Sequence, residues 1–360
     1  MQFAVRVLAS TVTVDLDDSL PDDVRDRIVE QWAHLREEEP REPTTVMRLR
    51  MHDVPRIFEG DHEDVAVVDA TSAPDALASR ITLFGLRELS GHAFLLHAAG
   101  LATDDGSVIA LVGPSGRGKT TASRALGQSM GYVTDETVAF DADGIVTPYP
   151  KPLSIGRRPT PKVLYPPAEM GLTVTESPLR LGALVLLERE TGRSDVSIEH
   201  VPFVDALAEL APQSSSLWKM PSALSRLADL IARTGGVRRV RYGDAEQLPA
   251  VVSQILAARA VPEQLDAVQV AEADPDAGPL ARAPYADAMA CDDRLVVIGA
   301  DGLRVLTGLG PAIWLAADGV SDETMQRRVA EMVGPTPDGV DPEAAIAEAV
   351  AQLRENRLLR

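Results

Sequence analysis

Cysteine is nearly absent from this chain of 360 residues, with Cys291 alone. A single thiol excludes an internal disulfide, and Cys/His zinc-ligand spacing is missing too. No run of 18 apolar residues occurs, so the pattern predicts no transmembrane helix. The first twenty residues lack an apolar h-region and turn acidic quickly, which argues against a signal peptide and predicts a cytoplasmic protein. Positive charge is scarce: 35 Lys and Arg stand against 54 Asp and Glu, for a net charge of −19. A nucleic-acid binder needs a basic face, and anionic membranes repel such a chain, so neither is an expected partner. Lysine is scarcest of all. Only Lys119, Lys151, Lys162 and Lys219 occur, against 31 arginines (35 less 4), which singles out a lysine in a motif.

Hydrophobic residues make up 45% of the chain, enough for packed cores, and the length suggests two or three domains. Residues 1–90 read as an α+β segment. Short β-like runs lie at 3–7, 12–14, 45–49 and 65–68, with a helix over 21–36. A second helix over 76–90 has Leu83, Leu86 and Leu89 at core spacing. Chemistry is not evident there. A P-loop domain follows over 91–259. It opens with strands at 94–101 and 108–112 joined by Asp104-Asp105-Gly106, then continues with a helix over 119–127 and a strand over 132–140. Buried strands at 182–187 and 236–242 and helices over 203–210, 222–232 and 245–258 complete it. Residues 260–283, proline-bearing and without periodicity, read as a linker. Residues 284–360 read as a small module of three strands and three helices.

The apolar strand 108–112 runs into Gly113-Pro-Ser-Gly-Arg-Gly-Lys119-Thr120-Thr121, which fits G-x-x-x-x-G-K-[ST] in full. Gly116 and Gly118 let successive N–H groups converge on one anion, and the following helix adds its dipole. Lys119 would reach the β/γ-phosphates, and the Thr120 hydroxyl is a Mg²⁺ ligand by type. The expected nucleotide-binding set is Gly113, Ser115, Gly116, Arg117, Gly118, Lys119, Thr120 and Thr121, with ATP and Mg²⁺ as cofactors.

Two carboxylates, Asp135 and Glu136, fall inside the run 132–140. They are either a proton acceptor beside a metal-linked acid or a solvated pair on an edge strand. His97, in an apolar strand, is either a core residue or part of the site. Lys151, Arg157 and Arg158 could meet phosphate charge or face solvent. Glu188 either holds a metal at a strand end or simply leaves a strand.

The run His97-Ala-Ala-Gly-Leu, the loop 112–120 and Gly131-Tyr-Val-Thr-Asp135-Glu136 resembles the catalytic domain of HPr kinase/phosphorylase and its HPr kinase-like relatives, over roughly residues 90–258. Tyr149-Pro-Lys-Pro-Leu-Ser154 resembles a stretch of the HPr kinase-like branch. The resemblance implies that Asp135 is the catalytic acid/base, His97 its neighbouring histidine and Thr120 the magnesium-binding hydroxyl. Lys119 is catalytic with them. Glu136 stands where a second Asp is usual, keeping its charge and its implied metal role. Residues 1–90 do not resemble the regulatory domain of the bacterial sugar-control enzyme, so neither HPr as substrate nor the reverse reaction is implied.

Residues 285–360 resemble the winged-helix-like PqqD family of peptide recognition elements through Leu303-Arg-Val-Leu306, Gly310-Pro-Ala-Ile-Trp314, Asp318-Gly319 and a final helix ending near Arg357-Leu-Leu359. Thr307-Gly308 departs from that pattern. The resemblance implies that a leader peptide adds as a strand to the sheet edge, as in ribosomal peptide pathways. With eight Arg, no Lys and thirteen Asp/Glu, residues 281–360 carry −5, which disfavours DNA. Dimerisation, giving a homo-oligomer, is the other use of such a module. Its apolar set, Ile313, Trp314, Leu315, Ile346, Val350 and Leu353, predicts a piece that folds alone.

The favoured expectation is an ATP-dependent kinase acting on a Ser or Thr hydroxyl of a peptide or protein, such as a ribosomally made precursor captured by the C-terminal module. The alternatives are a nucleotide-switched peptide-binding or assembly protein without catalysis, and a small-molecule kinase.

Overall fold

The protein, as a computed structural model, is described over residues 1–39, 42, 44–53, 56–58, 63–114, 116, 118–156, 162–175, 178–268, 278–334 and 341–360, with backbone alone for 56–58 and 63. Ser115, Arg117, Arg157 and Arg158 lie outside the described residues. The chain is mixed α/β, with several sheets. Its contacts divide it into two compact units. One comprises 1–200, 213–215 and 234–259; the other comprises 201–212, 216–233 and 260–360.

In the first unit, alternating apolar residues make the strands Gln2–Val7 and Ser10–Leu16, burying Val5, Val7, Val12 and Val14. They pair antiparallel, and Thr44–Met51, Glu63–Val67 and Arg56–Phe58 extend the sheet to five strands. The helix Ala73–Leu89 closes on it by burying Leu77, Ala78, Ile81 and Phe84. The 3.6-residue period thus turns a different face inward from the one expected: Leu83 is exposed, and Leu86 and Leu89 are only half-buried. Gly85 permits the close approach, because a Cβ there would stand 2.5 Å from Val7 Cγ2.

A six-stranded sheet follows, with Ser107–Val112 in its interior. Arg180–Arg189 runs parallel to that strand on one side, and Val237–Tyr242 runs parallel to Arg180–Arg189. Ala98–Ala102 lies antiparallel on the other side. The near-continuous apolar run of Arg180–Arg189 suits a strand covered on both faces. The helix Lys119–Leu126 packs Ala122 and Leu126 into the same core as Val240 and Tyr242.

The expected strands 94–101 and 132–140 are each broken. Phe94–Leu96 and Val138–Phe140 pair in one sheet, while Ala98–Ala102 and Gly131–Thr134 pair in the other. His97 sits at one break and Asp135 to Thr137 at the other. The 245–258 helix is likewise split, into a 3₁₀ segment Ala245–Val251 containing Pro249 and a helix Val252–Ala257.

The second unit is built on a four-stranded antiparallel sheet in the order Leu265–Val268, Tyr285–Cys291, Arg294–Gly299, Gly302–Leu306. The helices Gly310–Ala316, Asp322–Val333 and Pro342–Glu355 supply most of its core, with Ile313, Trp314, Ile346, Val350 and Leu353 buried and Leu315 half-buried. The stretch read as a linker is not wholly one: Leu265–Val268 is a strand of this sheet, and Leu280–Ala281 pairs with Asp318–Val320. The helices Phe203–Leu210 and Ala223–Arg233 belong to this unit as well, not to the first. Asp287, buried, accepts from the Leu224 N–H at 2.7 Å and so ties the second of these helices to the sheet. A fragment of 280–360 therefore lacks a strand and two helices of the unit to which it belongs.

Candidate functional site

The glycine-rich loop leaves the carboxyl end of Ser107–Val112, the edge at which parallel sheets hold ligands. Gly116 and Gly118 take φ of 82° and 95°, the left-handed region that a side chain resists, and Gly118 caps the helix Lys119–Leu126. The Lys119 ammonium is folded back into the loop, 2.6 Å from the Gly113 carbonyl oxygen and 3.4 Å from that of Pro114. Burial lowers the Lys119 pKa to about 8, while the charges of Asp135 and Glu136 pull it upward. Thr120 is half-buried on the first turn, beside Lys119.

The break at 135–137 has a local cause. Thr134 Oγ1 accepts from the N–H groups of Glu136 and Thr137, at 3.2 and 3.3 Å, which turns the chain out of the ladder. The Glu136 carbonyl then accepts from the Ala98 N–H and lies 3.0 Å from His97 Nδ1. A carbonyl only accepts, so Nδ1 carries the proton and Nε2 keeps a lone pair. Burial, then the Lys119 charge, lower the His97 pKa against the upward pull of Glu136 and Asp135, and the ring is neutral at neutral pH.

Asp135 is buried, so it is not a solvated edge carboxylate, whereas Glu136 is partly exposed. Its partner is Lys151, 1% exposed, whose ammonium is 3.6 Å from Asp135 Oδ1 and 2.8 Å from Glu136 Oε2. The Pro152 carbonyl and the Ser154 hydroxyl take its other donors, at 3.1 and 3.3 Å. Burial alone would lower the Lys151 pKa, but the charges of Asp135 and Glu136 hold it above the ordinary lysine range. Burial pushes Glu136 up, but the Lys151 charge and hydrogen bond, with the electrostatic pull of His97 and Lys162, together hold its carboxyl below the usual range. The Tyr132 hydroxyl lies 3.2 Å from Asp135 Oδ1 and 3.3 Å from the Lys151 carbonyl oxygen, and burial followed by the Asp135 charge keeps its phenol protonated.

Residues 1–90, which offered no chemistry, brace the segment that carries Lys151. Thr82 Oγ1 is 2.9 Å from the Tyr149 hydroxyl, His34 Nε2 is 2.6 Å from the Pro150 carbonyl, and the Gln31 amide donates to Leu164 O at 2.8 Å. Tyr132, Tyr149 and Thr82 carried no sequence signal of this role beyond being hydroxyls near a motif. Glu188 is paired with Arg241 at 3.0 Å and Arg239 at 3.7 Å. Glu188 lies inside the strand Arg180–Arg189, opposite Arg241.

The donor set fits a nucleotide. A glycine loop, a buried ammonium and a helix N-terminus converge beside two carboxylates, and a buried tyrosine hydroxyl without a hydrogen-bond partner among the described residues (Tyr242) lies against Gly118. Thr120 and Glu136 are oxygen donors of the kind Mg²⁺ takes alongside phosphate oxygens.

In the second unit a groove of about 510 Å³ runs between the strand Gly302–Leu306 and the helix Pro342–Glu355. Leu306, Leu309, Ala345, Ala349 and Leu353 give it apolar walls, and Arg304 stands in its lining. Gly302–Leu306 is the last strand of its sheet, so one backbone edge is unpaired there among the described residues. No described helix is long and apolar enough to cross a membrane. No protein-family model matches the chain, and no curated protein matches its sequence.

Proposed function

We propose that the protein is an ATP-dependent phosphotransferase of the HPr kinase-like type that phosphorylates a Ser or Thr hydroxyl on a peptide or protein. The observation that carries this reading is the convergence of Lys119, His97, Asp135, Glu136 and Lys151 at the carboxyl edge of the parallel strands, with both carboxylates paired to the buried Lys151 ammonium beside the glycine-rich loop.

The chemistry asks for positioning and charge neutralisation. Loop N–H groups and the Lys119 ammonium, released from the Gly113 carbonyl, hold the β- and γ-phosphates. Asp135 receives the acceptor's hydroxyl proton as the new O–P bond forms. The bond between the γ-phosphorus and the β-phosphate oxygen breaks, and its electron pair leaves with ADP. Lys151 and Tyr132 hold Asp135 in orientation, and neutral His97 fixes the backbone turn at Glu136. Thr120 and Glu136 would hold Mg²⁺, which would neutralise phosphate charge.

The unpaired edge and groove of the second unit suit an extended peptide, which would gain main-chain hydrogen bonds along Gly302–Leu306 and pack apolar side chains against the last helix. A leader peptide of a ribosomally made precursor is the ligand that this reading favours. The test is incubation of the full chain with Mg²⁺, ATP and precursor peptides encoded beside its gene, read by intact mass. A gain of one phosphoryl group per acceptor that vanishes in Lys119→Ala is expected. ATP consumption equal in Lys119→Ala and the parent would refute it.

A further inference from the structure

Tyr242 is the last residue of the strand Val237–Tyr242. In the parallel register it lies opposite Arg189, whereas Val112, the last residue before the loop, lies opposite Leu186. It therefore stands three residues beyond the level at which the chain enters the glycine-rich loop, on the edge where such sheets place ligands. Its ring packs in the core with Ala122 and Leu126 of the helix that the loop leads into. The residue is 1% exposed, and its hydroxyl is buried without a hydrogen-bond partner among the described residues.

Buried polar groups are nearly always satisfied, and an exception calls for a partner in another state of the molecule. The neighbour of this hydroxyl indicates which state. A Cβ on Gly118 would stand 3.1 Å from it, so the absent side chain leaves the hydroxyl facing the turn that caps the helix. That turn opens the helix Lys119–Leu126, whose N-terminus carries positive dipole charge, and it lacks a side-chain cap among the described residues. Burial raises the Tyr242 phenol above its ordinary value against a weaker downward pull from Arg189, so it is a donor throughout the neutral range.

We propose that Tyr242 is a phosphate-binding residue, its hydroxyl donating to an oxygen of the polyphosphate seated at the Gly118 turn. This rests on the nucleotide reading above, and it gives Gly118 a second reason to be glycine besides its φ of 95°. Any side chain there would fill the space between hydroxyl and anion. A core tyrosine with no ligand would instead be indifferent to what fills the loop.

The experiment compares Tyr242→Phe with the parent in the full chain. It measures calorimetric titration with ATP·Mg²⁺ and with inorganic pyrophosphate, and thermal melting without ligand. Loss of one hydrogen bond to a charged group should weaken both ligands about tenfold. The free variant should melt no lower than the parent, since no bond is lost there. Unchanged affinity, a loss for ATP but not for pyrophosphate, or a lower melting point of the free variant would each overturn the assignment while leaving the nucleotide reading standing. A parent that binds neither ligand overturns both.

Discussion

The Lys151 ammonium lies 2.8 Å from Glu136 Oε2 and 3.6 Å from Asp135 Oδ1, with Lys151 and Asp135 both buried. One cation thus compensates two carboxylates, one of which has little access to water. Removing one member of a buried pair costs more than the pair contributes, because the survivor stays charged and uncompensated. Lys151→Met should therefore destabilise the first unit by about 3 kcal/mol in urea unfolding. Adding Asp135→Asn to it should recover part of that loss. Equal stability of the single variant and the parent would mean that the cluster is open to solvent.

Asp135 should matter to turnover more than to nucleotide binding. A carboxylate that takes the acceptor's proton acts in the transition state, so Asp135→Asn should lower kcat by about 100-fold or more, with ATP affinity within a fewfold of the parent. Steady-state kinetics with parallel ATP titration separates the two. Phosphotransfer at the parental rate would remove Asp135 from the chemistry. Glu136→Gln should have a smaller effect, largest at low Mg²⁺.

Lys119 links nucleotide affinity to pH. His97, Asp135 and Glu136 face it, and burial sets its pKa at about 8, below the ordinary lysine value. Below pH 8 the ammonium is already charged, so affinity for ATP·Mg²⁺ should not change through this group. Above pH 8 binding must take up a proton, and affinity should fall about tenfold per unit until the pKa of the complex is reached. Stability has the opposite sign. Between about 8 and the unfolded value the unfolded chain binds more protons, so this group adds stability as pH rises. Titrations from pH 6.5 to 9.5 test the binding limb, which should be flat in Lys119→Ala.

The glycine-rich loop was legible as a turn into a helix because its pattern states its geometry: Gly116 and Gly118 take positive φ, and the lysine and the helix follow. Asp135 was only half-legible. The sequence shows two carboxylates in an apolar run, but nothing local says that Thr134 turns them out of the ladder, or that Lys151, sixteen residues beyond Asp135, closes on them. The contribution of residues 1–90 was invisible, because Thr82, His34 and Gln31 act through backbone and hydroxyl contacts that no spacing encodes. Periodicity located the helix over 73–89 yet mistook its inner face, since Leu83 fits the same period as Phe84 and only the packed sheet chooses between them. The segment 260–283 lacks periodicity because its strands are short and edge-on, not because it is wholly a linker.

The groove of the second unit should decide which acceptor is modified without altering the phosphate site. Its floor on the helix side is small, with Ala345 and Ala349 one turn apart on Pro342–Glu355 and Leu353 a further turn along. A peptide strand beside Gly302–Leu306 would set alternate side chains against these residues. Ala349→Arg places a long cation where those side chains would lie. It leaves the core residues Ile346, Val350 and Leu353 in place, so the unit should stay folded. The expected outcome is at least a tenfold fall in kcat/KM for the recruited peptide, carried by KM, with ATP affinity and acceptor-free ATP hydrolysis at parental values. All three quantities are measured on the full chain, because the unit draws on residues 201–212 and 216–233 as well as on the C-terminal segment. An acceptor phosphorylated by Ala349→Arg with parental KM would show that the groove does not recruit it. Concentration-dependent sedimentation of the parent, lost in the same variant, would then identify the groove as a contact between two copies of the chain.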